Sequence, residues 1–337
     1  MSDENNNKAS SVPQLSVIMP VYNGHDFILQ SLPPLIEMMK RGEILEVIVV
    51  DDTSTDDTPE LARKMGASVI PSGGRLGPGA ARNKAANEAK GDILWFIDAD
   101  VIVHHDAAMY LHEGFAENSV VAVFGSYDDK PPAQNFLSQY KNLVHHFYHH
   151  RGRKEASTFW SGCGAVRKEA FLEIGGFDVV KYTRPSIEDI ELGYRLRGAG
   201  GKILLIPELR STHLKEWRFI NLVHTEIFCR AIPWSRLMIE QTGVVDDLNV
   251  SRVERLRAVI AVLFFITVLA VLPGLIPWWS AVLAFVFTGF INHELFSLFY
   301  RRKGLLFALA GLAYHQFYYL YSSLAFAYAM LEARLKH

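Results

Sequence analysis

The chain has 337 residues, half of them apolar and 21% charged, and its formal net charge is −2. This length suffices for one large domain or two ordinary ones, and a charge so close to neutral argues against nucleic acid as a partner. The two cysteines, Cys163 and Cys229, lie far apart and form no CxxC pair, which excludes a disulfide framework and a cysteine-type zinc site.

Residues 1–14 are polar, rich in Asn and Ser, and lack the apolar core of a signal peptide. We expect a disordered N-terminal tail here. The soluble part of the chain is expected to stay in the cytoplasm, which the cysteine usage also favours.

From residue 15 onward, apolar strand-like runs alternate with helical stretches. The predicted strands lie at residues 15–21, 47–50, 67–70, 93–97 and 120–124, and helices at 25–39, 80–90, 107–116 and 135–153. The pair Pro33-Pro34 indicates a break or kink in the first helix. Such alternation predicts an α/β fold with a mostly parallel sheet.

Two of the predicted strands end in carboxylates, Asp51-Asp52 and Asp98-Ala99-Asp100. The carboxyl ends of parallel strands open into the crevice where such sheets bind ligands. Two neighbouring acids there indicate a divalent cation that carries substrate phosphates. A strand that simply runs into an acidic turn gives the same pattern.

The glycine-rich loop at residues 71–79 precedes an Ala-rich helix and lacks the Gly-Lys-Ser/Thr ending of a P-loop. It fits a plain helix entry, or a site where backbone N–H groups and a guanidinium face an anion. We expect Arg82 to face the anion, and Arg75 to belong to a plain helix entry with no ligand.

A second acidic pair, Glu188-Asp189, opens a predicted helix. The helix dipole alone favours acids in a first turn, so this pair has a purely structural explanation as well. Four histidines between His145 and His150 share helix faces at i, i+4 spacing. We expect these histidines on a solvated or headgroup-facing surface and not at a metal.

Several blocks in order resemble the inverting family-2 glycosyltransferases, which have the GT-A fold. The resemblance covers about residues 15–214, and the blocks are Pro20-Val21-Tyr22-Asn23, Asp51-Asp52, the loop and helix from Gly77 to Ala85, Asp98-Ala99-Asp100, Gly175-Gly176-Phe177-Asp178 and Glu188-Asp189-x-x-Leu192-x-x-Arg195.

The resemblance implies a role for each matching residue. Pro20, Val21, Tyr22 and Asp52 would line the nucleotide pocket, with Arg82 nearby and Asp98 at the ribose or the metal. Asp100 would bind Mg²⁺ or Mn²⁺ at the donor diphosphate, and His213 would complete the metal site. Asp189 would be the general base, with Glu188 beside it.

The rest of the chain indicates a membrane. Residues 215–257 mix aromatic and charged side chains as interfacial helices do. In the region 258–337, apolar stretches at 258–276, 280–300 and 305–331 predict two or three transmembrane helices. Arginines before the first stretch and after the second place the catalytic domain on the cytoplasmic side of the cell membrane.

These features predict a membrane-anchored, metal-dependent enzyme that moves sugar from a UDP- or GDP-sugar to an acceptor hydroxyl on a lipid or lipid-linked glycan. A processive polysaccharide synthase would carry Gln-x-x-Arg-Trp, to which only Arg230-Ala231-Ile232-Pro233-Trp234 comes near. Polyprenyl-phosphate glycosyltransferases generally lack the Glu-Asp helix. A non-catalytic scaffold that binds nucleotide sugar is the alternative from another class.

Overall fold

The structure is a computed structural model that describes residues 12–241 and 246–336. Most of the predicted N-terminal tail, residues 1–14, therefore lies outside the described residues.

One sheet forms the centre of the N-terminal two thirds of the chain. Its strands are β1 (Leu15–Val21), β2 (Glu46–Asp51), β3 (Ser68–Pro71), β4 (Ile93–Ile97), β5 (Val101–Val103), β6 (Val120–Tyr127), β7 (Glu155–Ala156), β8 (Cys163–Arg167) and β9 (Lys202–His213). The spatial order is β3-β2-β1-β4-β8-β6-β9-β5, and β7 pairs with β9.

The sheet is mixed, which corrects the prediction of a mostly parallel one. Among the described strands β1, β2, β3 and β4 pair in parallel, as do β6 and β9. Strand β8 is antiparallel to both β4 and β6, and β5 and β7 are antiparallel to β9. Because β8 runs opposite to β4, it begins at the edge where β4 ends, and this brings the loop before Cys163 to the acids after β4.

Helices cover both faces of this sheet. They are α1 (His25–Lys40), α2 (Thr58–Met65), α3 (Pro78–Glu88), α4 (Ala107–Gly114), α5 (Phe136–Arg151), α6 (Lys168–Glu173) and α7 (Glu188–Gly198). Successive strand residues point to opposite faces, so Trp95 packs in the core under α1 and Phe96 in the core under α3. Helix α1 continues through Pro33 and Pro34, so the predicted break there is wrong.

In the described residues after β9 the chain forms six α-helices, a π-helical segment and a short 3-10 helix at Leu248–Val250. They are α8 (Phe219–His224), the π-helix Thr225–Ala231, α9 (Ile232–Glu240), α10 (Arg252–Val271), α11 (Trp279–Ile291), α12 (His293–Lys303) and α13 (Leu305–Lys336). Tyr140 and Phe147 of α5 share a buried cluster with Phe299 of α12 and Ala308 of α13. The C-terminal helices are therefore packed onto the half of the chain that contains the sheet.

The second predicted apolar span, residues 280–300, is not one helix. It divides at Asn292 into α11 and α12, which are bent by 85°. Asn292 is buried and donates to the carbonyl of Thr288 at 2.9 Å, and Tyr319 of α13 lies 3.3 Å from its side-chain oxygen. By length and composition, none of the described helices could cross a membrane alone, and α11 with α12 is one bent pair that could.

Helix α10 carries a row of apolar side chains that are more than half exposed. Its exposed members follow helical spacing and are Val253, Leu256, Val259, Leu263, Ile266 and Leu269. Leu272, Leu275 and Trp278 extend this face to the turn before α11, each more than 70% exposed. We call this set the apolar face of α10. An exposed patch of this kind marks an interaction surface.

Candidate active site

Asp100, the second acid after β4, lies beside His213, the residue that the family resemblance implies for the metal site. Strand β5 pairs antiparallel with the end of β9, so Val101 is opposite His213. His213 Nε2 lies 3.5 Å from Asp100 Oδ2. Burial opposes ionisation of Asp100, but the hydrogen bond and charge of His213 bring the pKa of this carboxyl below its ordinary value.

Asp98 is engaged by Arg82 of α3. The Arg82 guanidinium is bonded to Asp98 Oδ1 and is only 3% exposed, whereas the Asp98 side chain is 39% exposed. Burial raises the pKa of Asp98; Arg82 lowers it and Asp100 raises it further. The cation predicted to face an anionic ligand thus pairs with a carboxylate of the chain itself.

The four residues predicted for the nucleotide pocket lie at the ends of β1 and β2. Pro20 and Val21 are buried, and Tyr22 is partly exposed, with the Arg75 guanidinium 3.9 Å from its ring centre. Asp52 is buried and accepts the N–H groups of Leu76 and Gly77, both at 2.9 Å. Asp52 therefore holds the glycine-rich loop against Tyr22.

The Glu188-Asp189 pair opens α7, as predicted. Asp189 Oδ2 accepts the backbone N–H of Ser161 at 3.1 Å, and its Oδ1 accepts the N–H of Ile190 at 2.9 Å. Burial raises the pKa of Asp189, while these donors and Arg82 lower it in part. Burial and the neighbouring Asp189 raise the pKa of Glu188 to about 7.

A short loop before β8 connects the two acidic sites. The carbonyl of Gly162 accepts the backbone N–H of Asp98 at 3.2 Å, while Ser161 bonds Asp189. The direction of β8 places this loop at the carboxyl edge of the sheet. Residue spacing alone gives no sign of this contact, because it depends on the antiparallel insertion of β8.

Both acidic sites line one cavity of about 790 Å³, a size typical of small-molecule sites. Asp98, Asp100, Glu188, Asp189 and His213 all contribute to its wall. The predicted catalytic and metal residues are thus brought together, while Pro20, Val21, Tyr22 and Asp52 are not part of the wall.

Sequence reasoning missed the opposite wall of this cavity, which consists of residues from α5, the π-helix and α9. Its members include Lys141, Glu226, Arg230 and Trp234. Trp234 Nε1 donates to Tyr194 OH of α7 at 3.1 Å, which joins α9 to the helix of the acidic pair. The fragment Arg230-Ala231-Ile232-Pro233-Trp234 is the signal in the sequence that could have found this wall.

Of the four histidines of α5, His149 is buried and His145 is half-buried, which corrects the expectation of a surface cluster. The rings of His145 and His149 stack with centres 3.8 Å apart, and His149 Nδ1 lies 2.7 Å from the carbonyl oxygen of Gly125. Burial lowers the pKa of His149 to about 4. Tyr127 stacks between His145 and His213, with ring centres 4.3 Å and 4.4 Å away.

Within the described ranges, no group of three or more His, Cys, Asp and Glu side chains is arranged to hold a metal ion. Asp100 and His213 are a pair, and Asp98 is occupied by Arg82.

Known glycosyltransferases are similar to this chain in sequence. Residues 16–175 match the family model "Glycosyl transferase family 2". A probable glycosyltransferase, YdaM of Bacillus subtilis, is 26% identical over 212 residues, which cover 58% of this chain and 49% of the relative. A poly(ribitol-phosphate) beta-glucosyltransferase of Bacillus spizizenii is 32% identical over 114 residues, 31% of this chain and 18% of the relative. The chain spans about half or less of the length of these curated relatives.

The structure also resembles a solved mannosyltransferase, PcManGT of Pyrobaculum calidifontis, in complex with GDP-Man and Mn²⁺. The TM-score is 0.51 at 18% identity, covering 94% of this chain and 88% of that one. This likeness shows the fold alone, which is the GT-A fold of these glycosyltransferases. The prediction of a GT-A fold is therefore confirmed. Residues 16–175 of this chain are therefore similar to glycosyl transferase family 2, and the fold is that of a solved glycosyltransferase.

Proposed function

We propose that the chain is a metal-dependent inverting glycosyltransferase that moves a sugar from a UDP- or GDP-sugar to an acceptor hydroxyl. The observation that carries this proposal is the single cavity shared by Asp189 and the Asp100–His213 pair. The Asp100–His213 pair suits the leaving diphosphate, and Asp189 suits the attacking hydroxyl.

Asp189 is the base in this proposal. An acceptor hydroxyl is a weak nucleophile, and a positioned carboxylate that removes its proton contributes about 10²–10⁴-fold to the rate. Two N–H groups fix the Asp189 carboxylate, from Ser161 and Ile190. Burial raises its pKa, which makes it a stronger base than an exposed carboxylate.

Asp100 and His213 are the residues that fit a divalent metal. Their donor atoms, an imidazole nitrogen and a carboxylate oxygen, lie 3.5 Å apart. These two side chains would hold the ion beside the donor phosphates. When bound, such an ion stabilises charge on the leaving diphosphate as a Lewis acid.

The choice of Mn²⁺ or Mg²⁺, and of a UDP- or GDP-sugar, follows the proteins that share the fold. The mannosyltransferase that resembles this chain is described with GDP-Man and Mn²⁺. The imidazole of His213 is a softer ligand than the oxygens that Mg²⁺ prefers, so Mn²⁺ is expected to bind more tightly. Asp98 remains a candidate for the ribose or the metal once Arg82 releases it or shares it.

The acceptor in this proposal is a lipid or a lipid-linked glycan at the cell membrane. The apolar face of α10 supports it, because a continuous exposed stripe of leucine, valine and isoleucine suits acyl chains better than water. Interfacial tryptophans Trp278 and Trp279 follow at the turn to α11. The C-terminal helices then anchor the chain beside its acceptor.

The catalytic half lies on the cytoplasmic side in this proposal. Arg252, Arg255, Arg301 and Arg302 flank the apolar helices on one side, as the positive-inside rule requires. Arg302 Nη2 lies 2.5 Å from Asp129 of the catalytic half, which keeps the end of α12 beside it.

A donor screen tests the proposed function. The full chain is heated with a panel of nucleotide sugars, with and without Mn²⁺, because a bound ligand raises the melting temperature by mass action. We expect Mn²⁺-dependent stabilisation by one UDP- or GDP-sugar, and slow release of its nucleoside diphosphate. The proposal fails if no nucleotide sugar stabilises the chain in the presence of Mn²⁺.

A further inference from the structure

The active-site cavity continues past the acids towards the C-terminal helices. Besides Asp189 its wall includes Arg230 of the π-helix, Tyr318 of α13, and Val259, Val262 and Leu263 of α10. The cavity is therefore longer than a sugar and a hydroxyl require.

The middle of this extension is positively charged. Glu226 Oε1 accepts from Lys141 Nζ at 2.8 Å and from Arg230 Nη1 at 2.9 Å, so one acid is shared by two cations. Arg255 lines the same wall. Glu254, the other acid in this part of the wall, is paired with Arg257 at 2.5 Å. The extension thus carries more cations than anions.

Arg230 is the cation best placed for a ligand. Its side chain is 44% exposed although it lines a cavity, while the Glu226 side chain that it contacts is 6% exposed. Among the described residues, Glu226 is the one acceptor of a hydrogen bond from the Arg230 guanidinium. The other N–H donors of this guanidinium are therefore left for another acceptor. Arg230 lies in a π-helix, an uncommon structure that is frequent at functional sites.

The far end of the extension opens onto the apolar face of α10. Val259 and Leu263 line the cavity and are also members of that face, each 56% exposed. The apolar chain of a ligand that fills the cavity can therefore continue along this face.

We propose that the acceptor is a phosphorylated lipid, whose phosphate binds Arg230 and Lys141 and whose chain leaves along Val259 and Leu263. Its hydroxyl then lies towards Asp189. Arg230 offers the planar fork of donors that suits phosphate oxygens. This inference rests on the proposed function and adds the chemical class of the acceptor.

The test measures binding, so that it does not depend on turnover. The full chain in phosphatidylcholine nanodiscs is titrated with dodecyl phosphate, with inorganic phosphate and with dodecanol. We expect dodecyl phosphate to bind at least about tenfold more tightly than inorganic phosphate or dodecanol. We expect Arg230→Gln to weaken the binding of dodecyl phosphate at least about tenfold. Equal binding of inorganic phosphate would identify a free phosphate and overturn the lipid assignment.

Two further variants keep the test decisive. Arg236→Gln is the matched control, because Arg236 is on α9, pairs with Glu332 at 2.7 Å and does not line the cavity; it should bind like the wild type. Glu226→Gln frees both cations and should bind dodecyl phosphate at least as tightly as the wild type. Equal loss in Arg230→Gln and Arg236→Gln, or a tenfold loss in Glu226→Gln, contradicts the proposal.

Donor binding is measured on the same samples with Mn²⁺ and nucleotide sugar. If wild-type donor binding is absent, the proposed function is wrong whatever dodecyl phosphate does. If donor binding is intact and Arg230 makes no difference to dodecyl phosphate, the acceptor assignment alone is wrong.

Discussion

The backbone N–H of Ser161 donates to the Asp189 carboxylate at 3.1 Å. The next residue, Gly162, accepts the backbone N–H of Asp98 at 3.2 Å. One loop therefore contacts both Asp98, the first residue of the Asp-Ala-Asp sequence, and Asp189. The separation of the two acidic sites is set by the sheet and not by flexible side chains.

His213 is expected to control metal affinity. Its ring nitrogen lies 3.5 Å from Asp100, and we expect His213→Ala to raise the half-saturating Mn²⁺ concentration at least about tenfold. Thermal stabilisation by Mn²⁺ at fixed UDP or GDP measures this. His105→Ala, at an exposed histidine, is the control and should leave the Mn²⁺ requirement unchanged. An unchanged Mn²⁺ requirement in His213→Ala would contradict the proposed metal site.

The Arg82–Asp98 pair should respond unequally to the loss of each partner. Arg82 is 3% exposed and Asp98 is 39% exposed, so Asp98→Ala leaves a buried cation alone and should cost about 3 kcal/mol of unfolding free energy. Arg82→Met leaves a carboxylate that water reaches, and should cost about 1 kcal/mol. Urea unfolding without metal measures both, and equal losses contradict the account of this pair.

Glu188 should make stability depend on pH. Its pKa is about 7 in the folded chain against 4.5 for an ordinary glutamate, so the folded state holds a proton that the unfolded state has lost between these values. The contribution of Glu188 to the free energy of unfolding therefore falls as pH rises from 4.5 to about 7 and is constant above that.

The variant Glu188→Gln isolates this contribution. Relative to the wild type, its free energy of unfolding should rise by up to about 3 kcal/mol between pH 4.5 and pH 8. Urea unfolding across this range measures the difference. Glu60→Gln, at an exposed site near the start of α2, is the control and should show no such rise. Parallel pH profiles for the wild type and Glu188→Gln would contradict the role given to Glu188.

The apolar face of α10 should bind membranes. We expect Leu272→Glu with Leu275→Glu to weaken sedimentation with phosphatidylcholine–phosphatidylglycerol vesicles at least about a hundredfold, because each leucine contributes about 1.5–3 kcal/mol when buried. Val180→Glu is the control, since Val180 is 88% exposed in the catalytic half. Unchanged vesicle binding in the double variant contradicts the membrane proposal.

Local sequence patterns were enough to predict the strands that end in acids. The run at β4 is buried at every position, and Asp98 and Asp100 follow it as expected. The pairing of His213 with Asp100 could be expected only from the family resemblance, because it depends on β5 and β9, which are far apart in the chain.

Other features depended on long-range packing that no local pattern reports. The antiparallel insertion of β8 is one, because it is set by its neighbours β4 and β6 and not by its own residues. The break at Asn292 is marked in the sequence by the polar residues Asn292, His293 and Glu294, which leave open an early end of the span, but the bend itself depends on packing. Hydropathy over residues 280–300 averages across it, while in the structure Asn292 is buried against α13.

The most direct test of the central claim is the rate of sugar transfer by Asp189→Asn with Mn²⁺ and the donor found in the screen. We predict that this variant melts with the same donor-dependent stabilisation as the wild type but transfers sugar about 10²–10⁴-fold more slowly. Asp26→Asn, the same change in the first turn of α1, should transfer at the wild-type rate. A wild-type rate in purified, folded Asp189→Asn would contradict the assignment of the base.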